Sequence, residues 1–227
     1  MVRAPPRLLR SGAFADRAAA GRELAARLEP YAGDPRLVVL ALPRGGVPVG
    51  AEVARALGAP LDVFVVRKLG VPGRRELAMG AIASGGVRVL NPEVVGALRI
   101  APDRIEAVAA REARELERRE REYRGAAGPL LIGGATAVLV DDGLATGSSM
   151  RAAVAALRER EAARVVAAVP VAPPATCRAL AAEVDEMVCL RTPEPFQAVG
   201  RWYRDFSEVS DDEVRALLGT GPGSDLR

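Results

Sequence analysis

The chain has 227 residues, 49% of them hydrophobic and 27% charged, so it can bury a full core as one large domain. It contains no histidine, which excludes a Ser-His-Asp triad, a histidine general base and a histidine-ligated zinc. Its net charge of +3, with no long basic run and no basic-aromatic stripe, suits small phosphate ligands better than nucleic acid.

The opening stretch, MVRAPPRLLRSGAFADR, lacks the apolar core of a signal peptide, and no run approaches the length of a membrane span. Cys177 and Cys189 form neither a metal-ligand spacing nor a disulfide framework. The expected location is therefore cytoplasmic.

In chain order, Ala13–Leu28 places Phe14, Ala18, Leu24 and Leu28 among charges and predicts an amphipathic helix. Leu37–Leu42 (LVVLAL) is a continuous apolar run, the pattern of a strand buried on both faces of a parallel sheet. It leads into Pro43-Arg44-Gly45-Gly46-Val47-Pro48 and then a small-residue helix, Val49–Leu57. The glycine spacing does not fit a dinucleotide fingerprint. Arg44 with Gly45 and Gly46 can instead present a guanidinium and free amides to an anion.

Leu61–Val66 (LDVFVV) predicts a third strand, ending in Arg67 and Lys68. Lys68 is the only lysine in a chain otherwise supplied with arginine, a compact point charge where the rest are planar forks. Leu69–Gly86 is rich in glycine and charge and is expected to be a loop, with Arg74, Arg75 and Glu76 as weaker candidate site residues. Val87–Ile100 predicts a short hairpin-like excursion. Pro102–Arg124 predicts a long charged helix, with Asp103 as its cap. Glu115–Arg119, Glu117–Arg121 and Glu120–Arg124 are i,i+4 pairs in the favourable order. Such a helix is expected to cover one side of the molecule or to meet a partner subunit of a homo-oligomer.

Ala135–Met150 (ATAVLVDDGLATGSSM) carries most of the functional information. A buried strand over Ala137–Val140 ends in Asp141 and Asp142. A small-residue loop follows, Gly143 to Ser149, and then a helix over Arg151–Arg160 that Ser148 or Ser149 can cap. Strand, loop and helix N-terminus make an anion site, because free amides and the positive end of the helix dipole point outward. The two carboxylates would repel that anion but can accept hydrogen bonds from hydroxyls beside it. A phosphate next to a vicinal diol describes a ribose 5-phosphate. Further on, Val165–Val169 and Val184–Leu190 predict strands, with a helix over Pro173–Ala182 between them. The tail Arg191–Phe206 concentrates Phe196, Trp202, Tyr203 and Phe206, and Ser210–Leu218 predicts a capped helix before GTGPGSDLR, which is expected to be disordered.

VLVDDGLATGSS resembles the phosphoribosyl-pyrophosphate (PRPP) signature of the type I phosphoribosyltransferases. The resemblance runs over roughly 36–206. It implies an α/β fold, an open parallel sheet with helices on both faces. One domain would hold a core at about 36–90 and 130–190, a helical insert at about 102–124 and a C-terminal hood at about 191–218. It implies transfer of ribose 5-phosphate from PRPP to a nitrogen base, with Mg²⁺ carried mainly by the substrate's oxygens. Arg44, Gly45, Gly46 and Lys68 would meet pyrophosphate. Gly143, Leu144, Ala145, Thr146, Gly147 and Ser148 would hold the 5′-phosphate, and Asp141 and Asp142 the ribose. Lys68 and the segment after it would act at the reacting centre, and Phe196 or Trp202 could stack on the base. The alternative is a regulator that senses PRPP or a nucleotide on the same fold without catalysis.

Overall fold

The computed structural model describes residues 12–125 and 128–219. Its elements run α1 (Arg17–Leu28), β1 (Leu37–Ala41), α2 (Gly46–Leu57), β2 (Leu61–Val63), β3 (Val66–Val71), β4 (Arg74–Ala83) and β5 (Val87–Leu90). They continue with α3 (Pro92–Ala97), α4 (Pro102–Arg124), β6 (Thr136–Val140), α5 (Ser148–Glu159), β7 (Arg164–Val171), α6 (Pro174–Ala181), β8 (Glu186–Arg191) and α7 (Asp211–Gly219). The expected disordered segment after Leu218 lies outside the described residues, Gly219 excepted.

Five strands form a parallel sheet in the order β2-β1-β6-β7-β8. Every residue of β1 and of β6 is buried, as an apolar run without alternation requires. Val39, Ala41, Val138 and Val140 face α1 and α2, while Val38, Leu40, Ala137 and Leu139 face α5 and α6. Helices therefore cover both faces, and the expected α/β architecture is present.

The region after β2 differs from expectation. The predicted strand Leu61–Val66 stops at Val63, and the chain leaves the parallel sheet at Phe64 and Val65. There the Val65 amide donates to Ser84 Oγ (2.8 Å), and Ser84 N–H donates to the Val65 carbonyl (2.8 Å). These bonds start a second sheet, β3-β4-β5, which is antiparallel. The segment expected to be a loop, Leu69–Gly86, is thus mostly hairpin, turning at Pro72 and Gly73.

The long helix α4 has the predicted bounds. Ile105, Val108, Ala109, Glu112, Leu116 and Tyr123 make one buried stripe that packs on β3, β4 and α7. All three predicted i,i+4 pairs are present. Its N-cap is Ala101, with no side-chain hydrogen bond, and Asp103 lies in the first turn instead. Among the described residues no helix is long and apolar enough to cross a membrane.

Candidate active site

The order β2-β1-β6-β7-β8 reverses direction between β1 and β6. A chain leaving β1 goes to one side of the sheet and a chain leaving β6 to the other, which opens a crevice beyond the carboxyl ends of these two strands. Two segments line it, Leu42–Gly46 after β1 and Asp141–Ser148 after β6.

The two segments approach closely. Leu42 N–H donates to the Val140 carbonyl (2.9 Å). A Cβ on Gly46 would sit 2.7 Å from the Val140 oxygen and 3.0 Å from Asp141 Cα, and one on Gly45 would collide with the Asp142 carboxylate. The paired glycines are thus what allows an arginine loop to lie against the acid pair. The Pro43–Arg44 peptide is cis.

Past Asp142 the chain turns into α5. Gly147 is the N-cap, with φ of 73°, a left-handed conformation that a side chain would strain. The expected serine cap is absent: Ser148 belongs to the first turn, and its hydroxyl is 2.9 Å from that of Thr146. The Ala145, Thr146 and Gly147 amides meet no protein acceptor among the described residues, and Ala145, Thr146 and Ser148 are exposed. Leu144 is different. Its side chain is in the core and its amide donates to the Val171 carbonyl (2.9 Å), so it supports the loop and has no donor left for a phosphate. Thr176 of α6 braces the loop through its hydroxyl, which donates to the Ala145 carbonyl (2.8 Å).

The acids sit in a strongly perturbed environment. Burial, then the adjacent Asp142, pushes the Asp141 carboxyl well above the usual carboxylate range. Burial also raises Asp142, against the Arg17 guanidinium, whose Nε donates to Asp142 Oδ2 at 2.8 Å. Tyr203 donates its hydroxyl to the Asp142 carbonyl (2.5 Å), and its ring lies between Phe14 and Phe206. Arg44 is paired with Glu208 and lies 3.9 Å from Asp211, both from the C-terminal segment.

Sequence reading therefore located Arg44, Gly45, Gly46, Asp141, Asp142 and the loop to Ser148 in one crevice. Lys68 is not at that edge. It lies within β3, opposite Ala81, because the chain has already changed sheets. It lines a cavity of about 420 Å³ together with Asn91, Ser148, Ser149 and Arg151, so it neighbours the start of α5, where Ser148 also borders the crevice. Arg74 lies at the start of β4, beside a different cavity lined by Arg99 and Arg104, and the side chains of Arg75 and Glu76 lie outside the described residues. Phe196 and Trp202 pack against Phe14, Ala20, Val171 and Tyr203, which makes them part of the anchor of the tail. The aromatic residue that reaches the signature is Tyr203. Arg17, Tyr203 and Glu208 were missed as site residues. The aromatic concentration of the tail was a signal for Tyr203, whereas nothing near Arg17 or Glu208 in the chain announced them.

Among the described residues no three acidic, cysteine or histidine side chains gather to hold a metal ion. What the crevice offers is two acids, one arginine loop, and open amides at the positive end of a 12-residue helix.

Comparison with known proteins gives the same direction. The family model for the phosphoribosyl transferase domain matches residues 12–200. Over 205 residues the chain is 50% identical to each of two proteins of Mycobacterium tuberculosis, from strains CDC 1551 / Oshkosh and ATCC 25618 / H37Rv, both named "Putative phosphoribosyl transferase". Those alignments cover 90% of this chain and 46% of each relative, so the chain spans about half the length of the curated relatives it matches. The crystal structure of the protein TT1426 from Thermus thermophilus is 46% identical, with a TM-score of 0.81, covering 91% of this chain and 98% of that one.

Proposed function

This chain belongs to the phosphoribosyl transferase domain family, and we propose that it transfers ribose 5-phosphate from PRPP to a nitrogen base, releasing pyrophosphate. The observation that carries the proposal is the meeting of Asp141 and Asp142 with the exposed, acceptor-free amides of Ala145 and Thr146 at the switch point, across from Arg44.

In this reading the amides and the Ser148 hydroxyl hold the 5′-phosphate, and the carboxylates accept hydrogen bonds from the ribose hydroxyls. The base nitrogen bonds to the anomeric carbon as the bond from that carbon to the pyrophosphate oxygen breaks. The leaving oxygen takes the electron pair, and the base gives its proton to solvent. Positive charge develops on the sugar during the step, which the adjacent acids favour, and negative charge develops on pyrophosphate, which Arg44 favours. Holding the remote phosphate spends binding energy on alignment. Mg²⁺ fits this site as an ion carried on the PRPP oxygens, where it would neutralise charge without a protein cage.

The first test is binding. PRPP with Mg²⁺ is expected to raise the melting temperature, since it binds the folded state alone. No shift at millimolar PRPP would remove this reading. Pyrophosphate release against a panel of purines, pyrimidines and smaller nitrogen bases then identifies the acceptor.

The regulator reading has one observation in its favour: Arg44 and Asp142 are both engaged by partners within the chain, Glu208 and Arg17. Exposed pairs such as Arg44–Glu208 are weak, and a pyrophosphate can displace the acid. PRPP binding with no pyrophosphate release above background for any base would decide for the regulator.

Lys68 gives a second prediction. From its place beside the start of α5 it is expected to meet a phosphate of PRPP, so Lys68→Ala should raise the KM for PRPP by roughly tenfold or more. A fall in kcat at unchanged KM would instead assign it to the departing pyrophosphate.

A further inference from the structure

Arg17 is the first residue of α1 and meets an acid 125 positions away. Its backbone is held by the helix start, where Asp16 accepts from the Ala19 amide at 2.7 Å. Its side chain is 11% exposed. Nε donates to Asp142 Oδ2 at 2.8 Å, and a terminal nitrogen donates to the Ser207 carbonyl at 2.7 Å. The guanidinium carbon lies 3.9 Å from the centroid of the Phe206 ring. Contacts from two sides therefore fix this cation, which sits far from the conditions of a solvated surface arginine.

We infer that Arg17 is a positioning residue: it holds the Asp142 carboxylate in one orientation, ready to accept a ribose hydroxyl, while the C-terminal segment holds Arg17. The inference rests on the PRPP reading of the crevice. The charged and titratable groups facing Asp142 are Arg17 from α1, Asp141 on its own loop and Tyr203 from the tail, with Arg191 of β8 behind Tyr203. Of these cations, Arg17 hydrogen-bonds the carboxylate. Burial works against the charged form of Asp142, and Arg17, through its hydrogen bond and its charge, is the strongest of the groups that oppose burial, ahead of the hydrogen bond with Asp141.

PRPP affinity should fall as pH drops and Asp142 takes up a proton. Without the Arg17 charge the proton is taken up at higher pH, so the acid limb of the affinity profile moves toward neutrality.

The experiment measures PRPP affinity against pH for wild type, Arg17→Met and Arg17→Lys, with Mg²⁺ present. Arg17→Met is expected to shift the acid limb upward and to weaken binding by roughly ten- to a hundredfold on that limb. Arg17→Lys, which keeps the cation, is expected to restore the wild-type limb. An unmoved limb in Arg17→Met, an equal loss at every pH, or tighter binding would overturn the inference. If Arg17→Met does not fold, the comparison of Asp142→Asn with Asp142→Asn/Arg17→Met replaces it, since neither strips the guanidinium from an Asp142 carboxylate. Arg17 acting through Asp142 should then add no further loss, and a second full loss would overturn the assignment. Wild type that binds no PRPP at any pH would instead remove the transferase and regulator readings together, and this inference with them.

Discussion

Asp141→Asn is expected to weaken PRPP use roughly ten- to a hundredfold while raising the melting temperature at neutral pH. The first effect is the loss of a hydrogen bond to a charged acceptor, about 1.5–3 kcal/mol. The second comes from the same carboxyl's environment. Its folded pKa lies well above the usual range, because burial and Asp142 both oppose its charge. A carboxyl raised in this way is bound to a proton more tightly in the folded than in the unfolded chain. Stability is therefore greatest at acid pH and declines as pH rises from the unfolded value through the folded one. Asparagine removes that decline, so the gain should appear at neutral pH and vanish at acid pH. The measurements are melting temperature at both pH values and a PRPP titration. A lower melting temperature at neutral pH would contradict the electrostatic account. Unchanged PRPP binding would mean that the ribose is not held here. The opposed signs are what a functional site is expected to show, since groups arranged for a ligand are strained without it.

Arg124→Met is expected to cost about 3–5 kcal/mol of stability, because it strips the guanidinium from a buried carboxylate. Asp62, in edge strand β2, is 1% exposed. Arg124 Nε donates to both of its oxygens, at 2.9 and 3.0 Å, and Arg124 Nη2 donates to the Val63 carbonyl at 2.9 Å. Glu120 pairs with the same arginine at 2.9 Å, and the Leu130 amide donates to Asp62 at 3.2 Å. The end of α4 is thereby fastened to the edge of the parallel sheet. Chemical denaturation of the variant measures the loss. Asp62→Asn/Arg124→Met should recover part of it, because the fully buried charge of Asp62 is then gone and only the less buried Glu120 has lost its partner. A loss below about 1 kcal/mol in the single variant would show that the pair behaves as a surface ion pair.

This fastening also explains why α4 is soluble in its own sequence yet integral to the fold. Its outer face carries the i,i+4 pairs, and its inner stripe of Ile105, Val108, Leu116 and Tyr123 covers β3 and α7. Its bounds were legible because Pro102 opens it and charge periodicity continues to Arg124. Its packing partners were not, since a stripe of apolar residues states how wide a face is buried and not against what.

The parts of the molecule determined by sequence alone are those in which neighbouring residues decide the outcome. LVVLA and TAVLV read as strands buried on both faces, and Gly-Leu-Ala-Thr-Gly-Ser after two acids reads as a turn into a helix start, and each has that form in the fold. The arginine loop, the acid pair and the loop amides that the fold gathers in one crevice were therefore readable from the chain itself. Tertiary structure decided what depends on distant partners. Val65 leaves the parallel sheet because its hydrogen bonds are to Ser84, 19 residues on, and that choice places Lys68 in the second sheet, beside the start of α5. Arg17 meets Asp142, Tyr203 meets the Asp142 carbonyl and Glu208 meets Arg44 only once both ends of the chain have closed over the switch point. Periodicity and turn chemistry report on a window of a few residues, whereas an ion pair spanning 125 positions is written in the fold that brings its halves together.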